Sequence, residues 1–273
     1  MGKFDGILLV TDLDGTLLKN DCSVSEENVK AIEYFKSQGG LFSIVTGRLP
    51  SALAGIDEIV KPNAPIGCIN GGGIYDLKEK KYVWTEIAPK EILELVAYVD
   101  KEMPEIGHQV NTLGNLWFTK YNDAMIKLRE ISKLPDVTCR IDEIKDPVLK
   151  VIFADLDPEK IKILAKKLQE HPLMKEFEGV SSEPIFYEIL PKGISKAVVI
   201  PKLCEMLGIS MDRTIAAGDN NNDVTMLNTV KLGYAVANAS ESAKQAADRI
   251  TVSNQESAIA KIVEELDNGT VSI

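Results

Sequence analysis

Positive charge is in short supply in this chain: 31 lysines and arginines face 41 aspartates and glutamates, leaving a formal net charge of -10 at pH 7. That balance argues against a nucleic-acid partner held by broad phosphate neutralisation, which needs a basic face, and it requires any bound phosphate to meet a local cation. Histidine is rarer still. His108 and His171 are the only two; they support neither a histidine-rich metal site nor a Ser-His-Asp triad, and both read as surface or packing residues. The four cysteines, Cys22, Cys68, Cys139 and Cys204, form no CxxC pair. Nothing therefore indicates a zinc knuckle or a disulfide framework, and buried free thiols in a reducing compartment are expected. Long apolar runs are missing too, since Asp12 and Asp14 interrupt the first one well before a signal-peptide core or membrane span would be complete. A soluble, cytoplasmic chain with no membrane partner is the expectation.

What is present is a chain of 273 residues, 45% hydrophobic and 26% charged, able to bury one large core or two modest ones. Its most informative segment, residues 7–18, reads ILLVTDLDGTLL. Ile7, Leu8, Leu9 and Val10 read as a fully buried strand, and Asp12 and Asp14 emerge from its end separated by one leucine. Two acids so placed repel each other unless a cation or a shared proton compensates. Gly15 and Thr16 permit a sharp exit, which puts both acids at a strand tip, where ligands of α/β sheets bind; a solvated turn is the competing reading.

Strand and helix signals alternate from there. Ser23 and Glu26 have capping-box spacing, and Val29, Ile32 and Phe35 follow on one helical face before Gly39 and Gly40. Apolar runs at 41–45 and 66–69 close in Thr46-Gly47-Arg48 and Asn70-Gly71-Gly72-Gly73. The same grammar returns at 214–217, 232–237 and 249–252, so a parallel sheet is implied. Between about 82 and 187 the texture changes. Runs at 108–112 and 115–119 flank Leu113-Gly114 as a hairpin would, and 148–154 precedes a charged amphipathic helix near Pro158. The expected architecture is α/β: a doubly wound, Rossmann-like parallel-sheet core from 1–81 and 188–273, with a second α/β domain inserted at 82–187.

A second acidic cluster, Gly218-Asp219-Asn220-Asn221-Asn222-Asp223, follows the run at 214–217 and opens a helix with Val224, Met226 and Leu227. If its strand lies beside the first, Asp219 joins Asp12 and Asp14 as hard oxygen ligands of the kind magnesium prefers; helix N-capping is the competing reading of Asp219 and Asp223. Lys196, in Pro191-Lys192-Gly193-Ile194-Ser195-Lys196, and Thr46-Gly47-Arg48 supply cations, a hydroxyl and backbone N–H groups suited to phosphate. Either one alone is equally well a solvated lysine or an ordinary strand-end turn.

Taken in order, DLDGTLL, TGR, Lys196 and GDNNND resemble the four motifs of the haloacid dehalogenase superfamily, over nearly the whole chain. The insertion after TGR and the Asn70-Gly71 loop, together with GISK, resembles the Cof-like branch of sugar-phosphate phosphatases, which carries a large α/β cap. The resemblance implies that Asp12 attacks phosphorus and becomes an aspartyl-phosphate, while Asp14 protonates the leaving alkoxide and later activates water. It implies Mg2+ held by the Asp12 carboxylate, the Asp14 backbone carbonyl and Asp219, with Asp223 orienting this site. Thr46, the Gly47 amide, Lys196 and Asn222 would hold the phosphoryl oxygens, with Arg48 as a further contributor. The cap would choose a small phosphorylated substrate, sugar phosphates leading. Within it Asn115, Trp117, Lys120 and Tyr121 suit a polar leaving group, although hairpin packing and solvent exposure explain them equally well.

Two positions depart from the branch pattern. Ala197 stands where glycine is frequent, and Pro201 falls where the helix after Lys196 should continue, which predicts a late helix start or a kink, with Lys192 as the fallback cation. The alternatives in view are a phosphotransferase or phosphomutase acting on sugar phosphates and a non-enzymatic phosphoacceptor module. Monomer and homodimer both fit the sequence.

Overall fold

The computed structural model describes residues 2–53, 55–132 and 134–273. The first apolar run is β1 (Leu8–Thr11), buried throughout. Helix α1 (Glu26–Ser37) is capped by Ser25, whose side chain accepts from the Asn28 amide. Ser23 was the expected cap, but it donates to Asp21 in the preceding turn, and the helix takes the next serine instead. Then come β2 (Leu41–Ile44), α2 (Ile56–Val60), β3 (Ile66–Cys68), β4 (Gly73–Asp76) and β5 (Lys81–Thr85). The middle of the chain forms α3 (Ile92–Glu102), β6 (Gly107–Thr112), β7 (Leu116–Lys120), α4 (Asp123–Ile131), β8 (Val148–Ala154), α5 (Pro158–Gln169), β9 (Phe177–Glu183) and β10 (Phe186–Pro191). The last stretch is α6 (Lys196–Leu207), β11 (Thr214–Gly218), α7 (Val224–Leu227), β12 (Leu232–Ala235), α8 (Glu241–Ala246), β13 (Arg249–Ile250) and α9 (Ala258–Asp267).

Two compact units result, one from Met1–Thr85 with Ser195–Ile273 and one from Glu86–Ile194. The divisions fall after β5 and before α6, a few residues beyond the expected 81/82 and 187/188. Hydrogen bonding accounts for the difference: β5 completes the ladder begun by β4, and β10 is laddered on both sides, by β8 and β9.

Unit one holds a five-stranded parallel sheet in the order β13-β12-β11-β1-β2. Side chains alternate across it, so Leu9 enters a layer with Phe42, Ile44, Ile32, Phe35, Ile259 and Ile262, while Leu8 and Val10 enter another with Val199, Leu203 and Met226. Burial on both faces is why these strands read as unbroken apolar runs. The run at 66–69 does not join this ladder as a full strand. Its β3 touches β2 through one parallel bridge, Val45 to Gly67, and opens a three-stranded sheet in the order β3-β4-β5, because the chain turns back at Ile69 and Asn70, both at positive φ.

Helix α6 starts at Lys196 and continues through Pro201, so the late start is not found. Pro201 lies on the exposed side while Val199, Ile200, Leu203 and Cys204 pack into the core, and that packing offsets the backbone bond proline cannot donate.

Unit two is a five-stranded antiparallel sheet in the order β7-β6-β8-β10-β9, with the hairpin at Leu113-Gly114 joining β6 to β7. One face packs Val110, Val151, Phe153 and Ile189 against Leu95 and Val99 of α3 and Leu164 and Leu168 of α5. His108 is buried there, with Nδ1 2.7 Å from Thr119 Oγ1 and Nε2 3.2 Å from Asp100, a packing role. No disulfide joins the four cysteines; Cys68 and Cys204 are buried, but Cys139 is half-buried and Cys22, in the turn before α1, is exposed. Among the described residues no helix is long and apolar enough to cross a membrane.

Candidate active site

Strand β1 lies between β2 and β11, where the strand order reverses, and its Thr11 stands level with Ala217 on one side and Ile44 on the other. The ladders run one step further: the Asp12 amide donates to the Ala217 carbonyl and the Val45 amide to the Thr11 carbonyl, each at 2.9 Å. Parallel strands in register thus deliver Asp12, Thr46 and Asp219 to one edge of the sheet, where α/β folds bind ligands.

Lys196, the first residue of α6, is buried there, with Nζ 2.7 Å from Asp12 Oδ1 and 2.6 Å from Asp223 Oδ1. The second oxygen of Asp223 accepts from the amides of Asp219, at 2.9 Å, and Asn220, at 3.0 Å. The capping reading of Asp223 is therefore correct as far as it goes, and the same carboxylate also anchors the lysine. Asp219 Oδ1 accepts from the Thr16 hydroxyl at 2.9 Å. Gly15 passes so close, at φ +78°, that a Cβ there would sit 2.5 Å from Asp219 Oδ2; glycine is required on both counts.

Charge is unbalanced in this cluster. Asp12, Asp219 and Asp223 bring ligand oxygens within 4.8 Å of one another around the single ammonium of Lys196. Burial pushes the Asp12 carboxyl well above the usual carboxylate range against the pull of Lys196, and the charges of Asp223, Asp219 and Asp14 add to the rise. Burial and Asp223 lift Asp219 to about 7, while its bond from Thr16 opposes them. Burial works against the charge on Lys196 as well, but Asp12 and Asp223 hold it above the ordinary lysine value. Excess hard-oxygen carboxylate beside one lysine is the donor set a divalent cation such as Mg2+ fits. With both Asp223 oxygens engaged inside the protein, Asp12 and Asp219 have the oxygens left to offer.

Asp14 stands apart from this cluster. Its carboxylate is exposed and gripped bidentately by Arg48, Nε to Oδ2 at 2.8 Å and Nη2 to Oδ1 at 2.6 Å, while Arg48 Nη1 donates to the Ala52 carbonyl at 3.0 Å. Arg48 was expected on the phosphate side of the site; the strong fork-to-fork pairing explains why it is found on Asp14.

Comparison with known proteins agrees with this geometry. The haloacid dehalogenase-like hydrolase family matches residues 9–263. The chain belongs to that family. It is 29% identical over 260 residues to a 5-amino-6-(5-phospho-D-ribitylamino)uracil phosphatase of Bacillus subtilis, covering 94% of each chain. A crystal structure of a haloacid dehalogenase-like hydrolase from Bacteroides thetaiotaomicron superposes with a TM-score of 0.84 at 25% identity, over 95% of this chain and 99% of that one. A subclass IIB sugar phosphatase shares the fold at a TM-score of 0.83 and 22% identity, over 97% of this chain and all of that one, 100%. Family and relatives together make the chain a phosphatase.

Within this hydrolase the remaining expected residues fall as follows. Thr46 is buried, and its hydroxyl accepts from the Arg48 amide at 3.2 Å. Asn222 donates through Nδ2 to Asn70 Oδ1 at 3.0 Å, while its own Oδ1 is buried with no partner. As oriented, its Nδ2 is engaged by Asn70 and the unpartnered end of the amide is an acceptor. Lys192 belongs to unit two, where it meets Glu178 at 3.1 Å and is exposed; it is not the fallback cation, since Lys196 needs none. Sequence reading missed Thr16, which orients Asp219, and Asn70, whose amide donates to the Thr46 carbonyl at 3.0 Å. The signal for both was present: Thr16 is inside DLDGTLL, and Asn70 opens a glycine run after a strand. Asn115, Lys120 and Tyr121 are engaged locally, with Asp146, Asp100 and Asp136.

Proposed function

We propose that this phosphatase hydrolyses small phosphomonoesters, sugar phosphates foremost, through a covalent aspartyl-phosphate on Asp12, with Mg2+ as cofactor. The observation that carries the reading is a carboxylate at the switch point of the sheet, buried, 2.7 Å from a buried lysine and surrounded by more acid than that lysine neutralises. Such a group is fixed in aim and cannot relax into water.

An Asp12 oxygen forms the bond to phosphorus as the ester P–O bond breaks, and Asp14 gives its proton to the departing alkoxide. Asp14 then takes a proton from the water that attacks phosphorus, releasing inorganic phosphate and restoring both carboxyl groups. Since Arg48 occupies both Asp14 oxygens, that pair must open for either transfer, and the freed guanidinium then meets the phosphoryl group. Thr46, the Gly47 amide, Lys196 and Asn222 hold the phosphoryl oxygens. Asp12, Asp219 and the Asp14 backbone carbonyl would hold Mg2+, which neutralises charge on the transferring group when bound, and Asp223 orients Lys196 and the Asp219 backbone. Unit two serves as the cap that selects the leaving group, in a cytoplasmic monomer or homodimer.

Phosphate release from a panel of phosphomonoesters, with and without Mg2+, tests this reading. Release that depends on Mg2+ supports it, and no release in its presence overturns it. Label appearing in a second organic acceptor instead of in phosphate would make the enzyme a phosphotransferase.

A further inference from the structure

The turn that follows β3 is strained. Ile69 and Asn70 lie one after the other in the left-handed region, at φ +58° and +52°, a conformation that a β-branched residue avoids. Such a turn persists only where its surroundings hold it, and strain of this kind gathers at functional sites. Here the partner is the Thr46-Gly47-Arg48 loop. The Ile69 amide donates to the Arg48 carbonyl at 3.1 Å, the Asn70 amide to the Thr46 carbonyl at 3.0 Å, and the Thr46 amide to the Gly67 carbonyl at 3.0 Å. These bonds bring the buried Asn70 side chain against Gly47, where a Cβ would lie 2.9 Å from Asn70 Oδ1. The same Oδ1 accepts from Asn222 Nδ2 at 3.0 Å. One side chain thus joins the loop after β2 to the loop after β11, all within unit one.

We propose that Asn70 is a positioning residue for the phosphoryl group, acting through Asn222. The inference rests on the hydrolase reading above, in which Asn222 meets a phosphoryl oxygen. A side-chain amide nitrogen carries two N–H groups. Asn70 takes one of them, which fixes the Asn222 nitrogen and leaves its second N–H for that oxygen. Without the anchor the Asn222 side chain keeps its rotamer freedom, and the cost of ordering it falls on the bound state. Backbone conformation alone asks only for glycine at position 70; asparagine tolerates the same region and adds the acceptor.

Asn70→Gly separates the two roles, because glycine keeps the left-handed turn and its amide but removes the acceptor. With Mg2+, it should lower kcat/KM about tenfold for p-nitrophenyl phosphate and for glucose 6-phosphate alike, since both share the phosphoryl group. The thermal midpoint should stay within about 4 °C of wild type. Asn222→Ala should lower kcat/KM by at least as much, and the double variant should be no slower than Asn222→Ala alone, because Asn70 then has nothing left to position. Losses that multiply in the double variant mark a merely structural role and overturn the inference. An Asn70→Gly enzyme as active as wild type, or an Asn222→Ala enzyme without loss, overturns it too and leaves the hydrolase reading standing. If wild type turns over neither ester, the hydrolase reading fails and takes this inference with it.

Discussion

Among the described residues each unit buries one lysine against carboxylate, and the two sites differ in charge balance. In unit two Lys150 meets Glu188, cation against anion, in the middle of a sheet. In unit one Lys196 faces Asp12 and Asp223, with Asp219 close by, so carboxylates outnumber the ammonium. A matched buried pair contributes orientation, often at little net gain in stability. An unmatched cluster keeps an electrostatic debt that a proton or a metal ion must settle, and the raised carboxyl groups of Asp12 and Asp219 are its signature.

The largest expected break in this contrast is chemical. Asp12→Asn should remove at least about a thousandfold of kcat for phosphate release while the fold persists, since it deletes the nucleophile and relieves buried negative charge; retained turnover counts against the covalent step. Urea unfolding separates the lysines next. Lys196→Met and Lys150→Met should each cost about 3–5 kcal/mol by stranding a buried acid. Adding Glu188→Leu to Lys150→Met should recover more of that loss than adding Asp223→Leu to Lys196→Met, because Asp12 remains in the second site.

Metal dependence comes third. Mg2+ at a hundred times its dissociation constant should stabilise the protein by about 2.7 kcal/mol, and Asp219→Ala should abolish that gain along with Mg2+-dependent turnover without unfolding the chain. An unchanged thermal shift in Asp219→Ala would remove it from the ligand set.

The pH profile sharpens the same point in metal-free protein. Asp219 holds its proton up to about 7 in the folded state, against about 3.9 unfolded. Between those values the folded state binds the extra proton. Stability present below about pH 4 should therefore be lost as pH rises towards about 7, read by urea midpoints across that window, and the raised Asp12 acts in the same direction. A flat profile would argue against the charge excess. The smallest effect is local: Pro201→Ala, on the exposed side of α6, should add about 1 kcal/mol by restoring a helical N–H donor.

Much of unit one was legible because its signals are local. A buried parallel strand must be apolar from end to end, so β1 and β11 stood out, and the acids following them had nowhere to lie but the tips. Ser25 and Pro201 show where local rules lose. Ser23 had the better spacing but was captured by Asp21, and Pro201 broke a propensity rule that core packing on the other side of α6 overrode. The domain edges slipped by a few residues because strand pairing, unlike composition, is a long-range property. For the same reason the buried pair of unit two could not be seen in advance: Lys150 and Glu188 are far apart in the chain and meet only through register.

Residue types and their order by themselves determined the fold class, the strand-tip position of Asp12 and Asp14, and the chemistry on offer, since hydrophobic period and turn residues act over short distances. Only the tertiary structure decided which charges meet. Parallel register carried Asp219 to Asp12 and set Lys196 between Asp12 and Asp223. Side-chain reach gave Arg48 to Asp14 and Lys192 to Glu178. Electrostatic interaction falls off with distance and strengthens with burial, and both quantities exist only once the chain has folded.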